Sequence, residues 1–165
     1  MTSPADEELI TVVVGQIPIG LQTAAQQHTD EITRELVLVA EQVHQRGDPG
    51  GLPQRFVELV SALSARYSMF TAEQESQLAR AVQEGRESVD LVYSVPASAA
   101  VAAAQLGSIF DEVDEYCREG RLLLTLESPA PVVAYRRWFL DQFVEQSQGR
   151  PPIAWPDHRD RVAPA

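Results

Sequence analysis

The chain has 165 residues, with 24 acidic and 13 basic side chains, a net charge of −11 and one cysteine; every basic residue besides the three histidines is arginine. That length suits one domain with a real core, and an apolar fraction of 44% is too high for a disordered chain. The acidic balance argues against a non-specific nucleic-acid binder, which needs a basic surface to release counterions, and against electrostatic docking on anionic lipid.

Residues 9–19, Leu-Ile-Thr-Val-Val-Val-Gly-Gln-Ile-Pro-Ile, are dense in β-branched side chains and predict a strand. Its two alternating faces are both apolar, so it is expected to be covered on two sides, and Pro18 ends its ladder. A long helix is predicted over 20–46, with Leu21, Ala25, His28, Ile32, Leu36, Val39 and Val43 spaced by threes and fours. Residues 47–51 read as a loop. Pro53 suits a first helical position, and Phe56, Leu59, Val60, Leu63, Tyr67 and Phe70 follow at helical spacing. Thr71-Ala-Glu-Gln74 matches a capping box, which predicts a separate shorter helix to Glu84, stopped by Gly85.

Val89, Leu91, Tyr93 and Val95 alternate with polar residues, the pattern of a half-buried edge strand. A helix over 97–119 follows, its inward face Val101, Leu106, Ile109, Phe110, Val113 and Cys117. Residues 122–126 read as a third strand. Ser128 is an N-cap candidate before Pro129, opening a helix with Val132, Val133, Tyr135, Trp138, Phe139, Leu140 and Phe143 that ends before Gly149. From Arg150 the tail, with four prolines and Trp155, has no periodicity. The expected architecture is α+β and predominantly helical: a small three-stranded sheet against about five helices, in a single domain over 9–149, with an acidic extension at 1–8 and a Pro-rich tail at 150–165. The lone cysteine, the acidic start and the lack of a long apolar stretch point to a cytoplasmic protein.

Three concentrations of residues invite a functional reading. His28 lies in Gln-His-Thr-Asp-Glu on the first long helix, and a carboxylate beside an imidazole is the chemistry of a phospho-accepting histidine. Its place on the apolar stripe favours a core or boundary histidine instead. Asp111-Glu-Val-Asp-Glu115 puts Asp111, Asp114 and Glu115 on one helix face. That face reads as solvated, with Arg118 pairing Asp114 and Glu115, or as a surface for an Arg-rich partner. Arg136-Arg137-Trp138 sits in a helix that is apolar over more than one stripe, so the helix is central to the core or buries a second face in a partner, either another protein or a second copy of the chain.

No Cys/His cluster proposes a metal, and no Gly-rich phosphate loop, nucleophile elbow or lysine-based motif is present, so no cofactor is expected, and a non-enzyme is favoured over an enzyme whose acid–base groups come from distant residues. The complete avoidance of lysine, whose codons are AT-rich, is the composition of a GC-rich genome.

Taken in order, Gln16-Ile-Pro-Ile-Gly20, Gln26-Gln-His-Thr-Asp-Glu-Ile-Thr-Arg-Glu35, Asp90-Leu-Val-Tyr-Ser-Val-Pro96, Asp111-Glu-Val-Asp-Glu-Tyr-Cys117, Leu123-Leu-Thr-Leu126, Ala134-Tyr-Arg-Arg-Trp-Phe-Leu-Asp-Gln-Phe143 and Pro151-Pro152 resemble a family of small uncharacterised actinobacterial proteins. The likeness covers most of 9–156. It implies a setting beside anti-sigma ATPases and their STAS-domain antagonists, and it carries over no functional residue. The leading expectation is a non-catalytic regulatory or protein-interaction module in bacterial signalling or stress response, with Asp111, Asp114, Glu115, Arg136, Arg137 and Trp138 as partner-binding candidates. A histidine phosphotransfer domain using His28 and a small-molecule sensor with a pocket between sheet and helices are the alternatives.

Overall fold

The computed structural model describes residues 7–45, 51–121 and 127–162. Among them the chain is mostly helical: β1 (Leu9–Pro18), α1 (Ile19–Gln45), α2 (Leu52–Gln83), β2 (Ser88–Pro96), α3 (Ala99–Arg118), α4 (Ala130–Ser147) and α5 (Trp155–Val162). The two strands form an antiparallel sheet, paired from Leu9 opposite Pro96 to Pro18 opposite Ser88. The third strand expected at 122–126 lies outside the described residues.

β1 carries a bulge between Val14 and Ile17. Side chains alternate along a strand, so without the extra residue Gln16 would point into the core where Val12 and Val14 point. Gln16 instead takes a positive φ of 52°, its N–H donates to Asp90 Oδ1 at 2.7 Å, and Ile17 returns to the buried face. Val12, Val14 and Ile17 meet Val89, Leu91, Tyr93 and Val95 on that face. The opposite face is largely open: Thr11, Asp90 and Ser94 are exposed and Val92 is 54% exposed, with Ala154 lying only against Gly15. The expectation of a strand covered on two sides is corrected here. The apolar density of β1 reflects strand propensity as well as burial.

α2 runs unbroken for 32 residues through the expected capping box. Neither Gly nor Pro occurs from 54 to 84, so nothing halts propagation at Thr71. The Thr71 hydroxyl bonds Glu75 Oε1 at 3.0 Å, and Gln74 reaches the sheet instead of back to the helix. The turn out of α2 uses Gly85 at φ 64°, with the Arg86 N–H donating to Ala81 O at 3.0 Å to close the helix end. Two further details of the sequence reading change. Val101 faces outward at 61% exposure instead of lining the core, and Ser128 does not cap α4, because its hydroxyl is taken by Asp114.

Two cores result. One joins the buried sheet face to Tyr135, Trp138 and Phe143 of α4 and to Trp155, which lies back on the domain as the first residue of α5. The Trp138 and Trp155 ring centroids are 5.3 Å apart, edge to face. The other core joins Ile32 and Leu36 of α1, Phe56 of α2, and Ile109, Phe110, Val113 and Cys117 of α3.

Glutamine side chains close both sheet edges at one rung. Val13 and Val92 are partners across the sheet. Gln146 of α4 accepts from Val13 N–H at 2.9 Å and donates to Val13 O at 2.7 Å, while Gln74 of α2 donates to Val92 O at 2.6 Å. Gln146→Leu leaves two backbone groups of β1 without partners and is expected to cost about 1–3 kcal/mol. Thr71→Ala, inside α2, should cost less than the ~1 kcal/mol typical of a lost N-cap. Urea midpoints at unchanged slope measure both.

Candidate functional site

The charged candidates divide between interior and surface. Asp114 of α3 and Arg136 of α4 form an ion pair at 2.5 Å, with side chains only 9% and 10% exposed. The Ser128 hydroxyl donates to Asp114 Oδ1 at 2.5 Å, and the Arg136 guanidinium lies 4.5 Å from the Phe110 ring centroid. Arg118 pairs with Glu115 and Glu127 rather than with Asp114. Trp138 is fully buried, and its indole N–H donates to Ile153 O at 2.8 Å. Arg136, Asp114 and Trp138 are therefore not surface residues. The α4 stripe that suggested a partner face is spent inside the fold, against the sheet on one side and α3 on the other. Asp111 and Arg137 pair on the surface at 2.9 Å, and with Glu115 and Arg118 they border a polar depression of about 530 Å³ at the start of α4.

His28 is 13% exposed and within electrostatic reach of the Asp114–Arg136 pair. Its Nδ1 is 3.9 Å from Glu31 Oε2, and its Nε2 is buried without a hydrogen-bond partner. Burial lowers its pKa from the ordinary 6.5, against the opposing pull of Glu31 and Asp114. A phosphoryl donor has no open approach to that nitrogen. Cys117 is also interior, and burial pushes its thiol up to about 11, away from the thiolate that nucleophilic chemistry uses. Among the described residues no group of three His, Cys, Asp or Glu side chains is placed to hold a metal ion.

A second concavity was not foreseen in its residues. An apolar groove of about 280 Å³ runs between α2, α3 and α4 above the end of β2. Ala99, Ala102 and Ala103 of α3 form its floor with Val95. Phe139, Leu140 and Phe143 of α4 form one wall. The α2 wall carries Leu63 and the polar groups, with Tyr67 and Ser98 hydroxyls 2.9 Å apart at one end and Thr71 and Glu75 at the other. The geometry follows from side-chain size. Where α3 presents alanines to the large residues of α4 and α2, the helices cannot fill the space between them. The five alanines within 99–104, interrupted by Val101, are the sequence signal that would have pointed here. This chain matches no family, no curated protein and no solved structure.

Two tests address the buried cluster. Arg136→Met strands the Asp114 carboxylate and is expected to cost about 3–5 kcal/mol, with most of it recovered in the double variant Asp114→Leu/Arg136→Met. His28 makes stability pH-dependent with a definite sign. The unfolded chain binds its proton at a higher pH than the folded one, so stability falls as pH drops below about 6.5. His28→Gln should lose less stability than the native chain between pH 7.5 and 5, by chemical denaturation at each pH.

Proposed function

We propose that the protein is a non-catalytic regulatory module that senses a small apolar ligand in the groove between α2, α3 and α4. One observation carries this reading: a concavity of about 280 Å³ walled by Phe139, Leu140, Phe143 and Leu63 stands open in a fold whose other aromatic surface is packed away. Apolar walls with a few polar groups on one side are the usual form of a small-molecule site. The burial of the His28 ring tells against phosphotransfer, and the burial of Trp138 leaves only the groove-lining Phe139, Leu140 and Phe143 of the α4 aromatic stripe open.

A signalling role remains compatible with this reading. α3 carries the groove floor at Ala99, Ala102 and Ala103 and, further along, the exposed charges Asp111, Glu115 and Arg118. A ligand that shifts α3 against α4 would alter the surface offered by those charges and Arg137 to a protein partner. The resemblance to proteins found beside anti-sigma and STAS-type regulators suggests the kind of circuit in which such a partner would act.

The test is the fluorescence of N-phenyl-1-naphthylamine, a neutral apolar probe that brightens on leaving water. It should brighten and saturate with the native chain, and the complex should unfold at a higher temperature, as binding to the folded state requires. Ser64→Phe, which adds bulk from the exposed α2 wall, should abolish the signal while far-UV dichroism stays native. No saturable brightening with the native chain, or full brightening with Ser64→Phe, overturns the reading.

A further inference from the structure

The groove is polar on one side only, and its charge is of one sign. Its polar residues, Ser64, Tyr67, Ser68, Thr71 and Glu75, all stand on α2, and Glu75 is the single ionised residue among those that line it. Among the described residues no arginine pairs with Glu75; its carboxylate accepts from the Thr71 hydroxyl at 3.0 Å and is otherwise open to solvent. No arginine lines the groove, and Arg66, on the same helix, is taken by Glu7 at 2.6 Å. The net charge of −11 reinforces the same sign over the whole molecule.

Resting on the reading of the groove as a small-molecule site, we infer that its ligand is a cationic amphiphile: an apolar alkyl or aryl body lying on Phe139, Leu140 and the α3 alanines, with one ammonium group at Glu75. An anionic head would meet an unpaired carboxylate at the groove mouth. A neutral head would leave that charge unused. An extended peptide is poorly served, because every lining residue except Val95 is on a helix and main-chain pairing needs a strand edge along the groove. The head group stays partly hydrated at this exposed position, so the charge contributes a preference of several-fold, and the apolar walls supply most of the affinity.

Displacement of bound N-phenyl-1-naphthylamine by decylamine, decanol and decanoate tests this at neutral pH and moderate salt. Decylamine is expected to compete about three- to ten-fold more strongly than decanol, with decanoate weakest. Glu75→Gln should bring decylamine down to the level of decanol and leave decanol unchanged. That variant alters the net charge by one, so a preference due to the global field would survive in it. Equal competition by amine and alcohol in the native chain, or an amine preference that persists in Glu75→Gln, overturns the inference while the groove reading stands. A probe that binds but is displaced only by an amphipathic helical peptide assigns the groove to a protein partner and overturns it also. A probe that never binds removes the groove reading and this inference together.

Discussion

A two-stranded sheet has no interior strand, so each strand has an edge whose N–H and C=O groups need partners other than strands. In this protein that constraint organises much else. One face of the sheet is covered by the α4 aromatics, and at the Val13–Val92 rung the edges are closed by Gln146 and Gln74. Gln146 offers both an acceptor and a donor to one residue, as a neighbouring strand would. Gln142, one turn earlier on α4, accepts from the Ile153 N–H at 3.0 Å and from Gln146 at 3.2 Å, tying the segment before α5 to the same network. The position of α4 is set by these bonds as firmly as by the burial of Trp138.

With α4 fixed on the sheet, its other side meets α1 and α3, and around Arg136 the contact is polar. Asp114, Arg136 and Ser128 satisfy one another in the interior, beside His28 and against the Phe110 ring. Such a seam adds little net stability over an apolar replacement, but it is intolerant of losing one member. It separates the sheet core from the α1–α2–α3 core. Because Asp114 is drawn inward, Arg118 is left to Glu115 and Glu127, and the exposed charge on α3 shifts to Asp111 and Glu115. The groove lies further along the same α3–α4 contact, on the stripe of α4 that also carries Arg136, where the alanines of α3 leave space unfilled.

Much of this architecture is legible in the amino-acid order. The spacing of Ile32 and Leu36, the alternation of Val89 through Val95, and the glycines after α2 and α3 place elements to within a residue or two, because periodicity and turn chemistry are local. The capping-box reading at Thr71 fails for a related reason. A cap motif inside a run of good helix formers has no power to end a helix unless the chain also breaks there, and α2 contains no breaker. The bulge at Gln16 is not visible locally either, since it exists to keep Ile17 in register with a strand more than seventy residues away.

Side-chain partners were the least legible feature. Asp114 and Glu115 are neighbours in a run of acids, yet one is interior and the other exposed, and only the approach of Arg136 from α4 decides between them. Trp138 and Arg136 are residue types common at interfaces, and here both are internal because two different elements claim opposite sides of one helix. Composition and periodicity by themselves determined a helical chain with a small sheet, the extent of most elements, and an acidic, lysine-free surface. The tertiary structure alone decided which charges pair, which strand face stays open, and where helices of unequal side-chain size fail to close. Those outcomes depend on contacts between residues far apart in the chain, and local patterns carry no information about the distance between them.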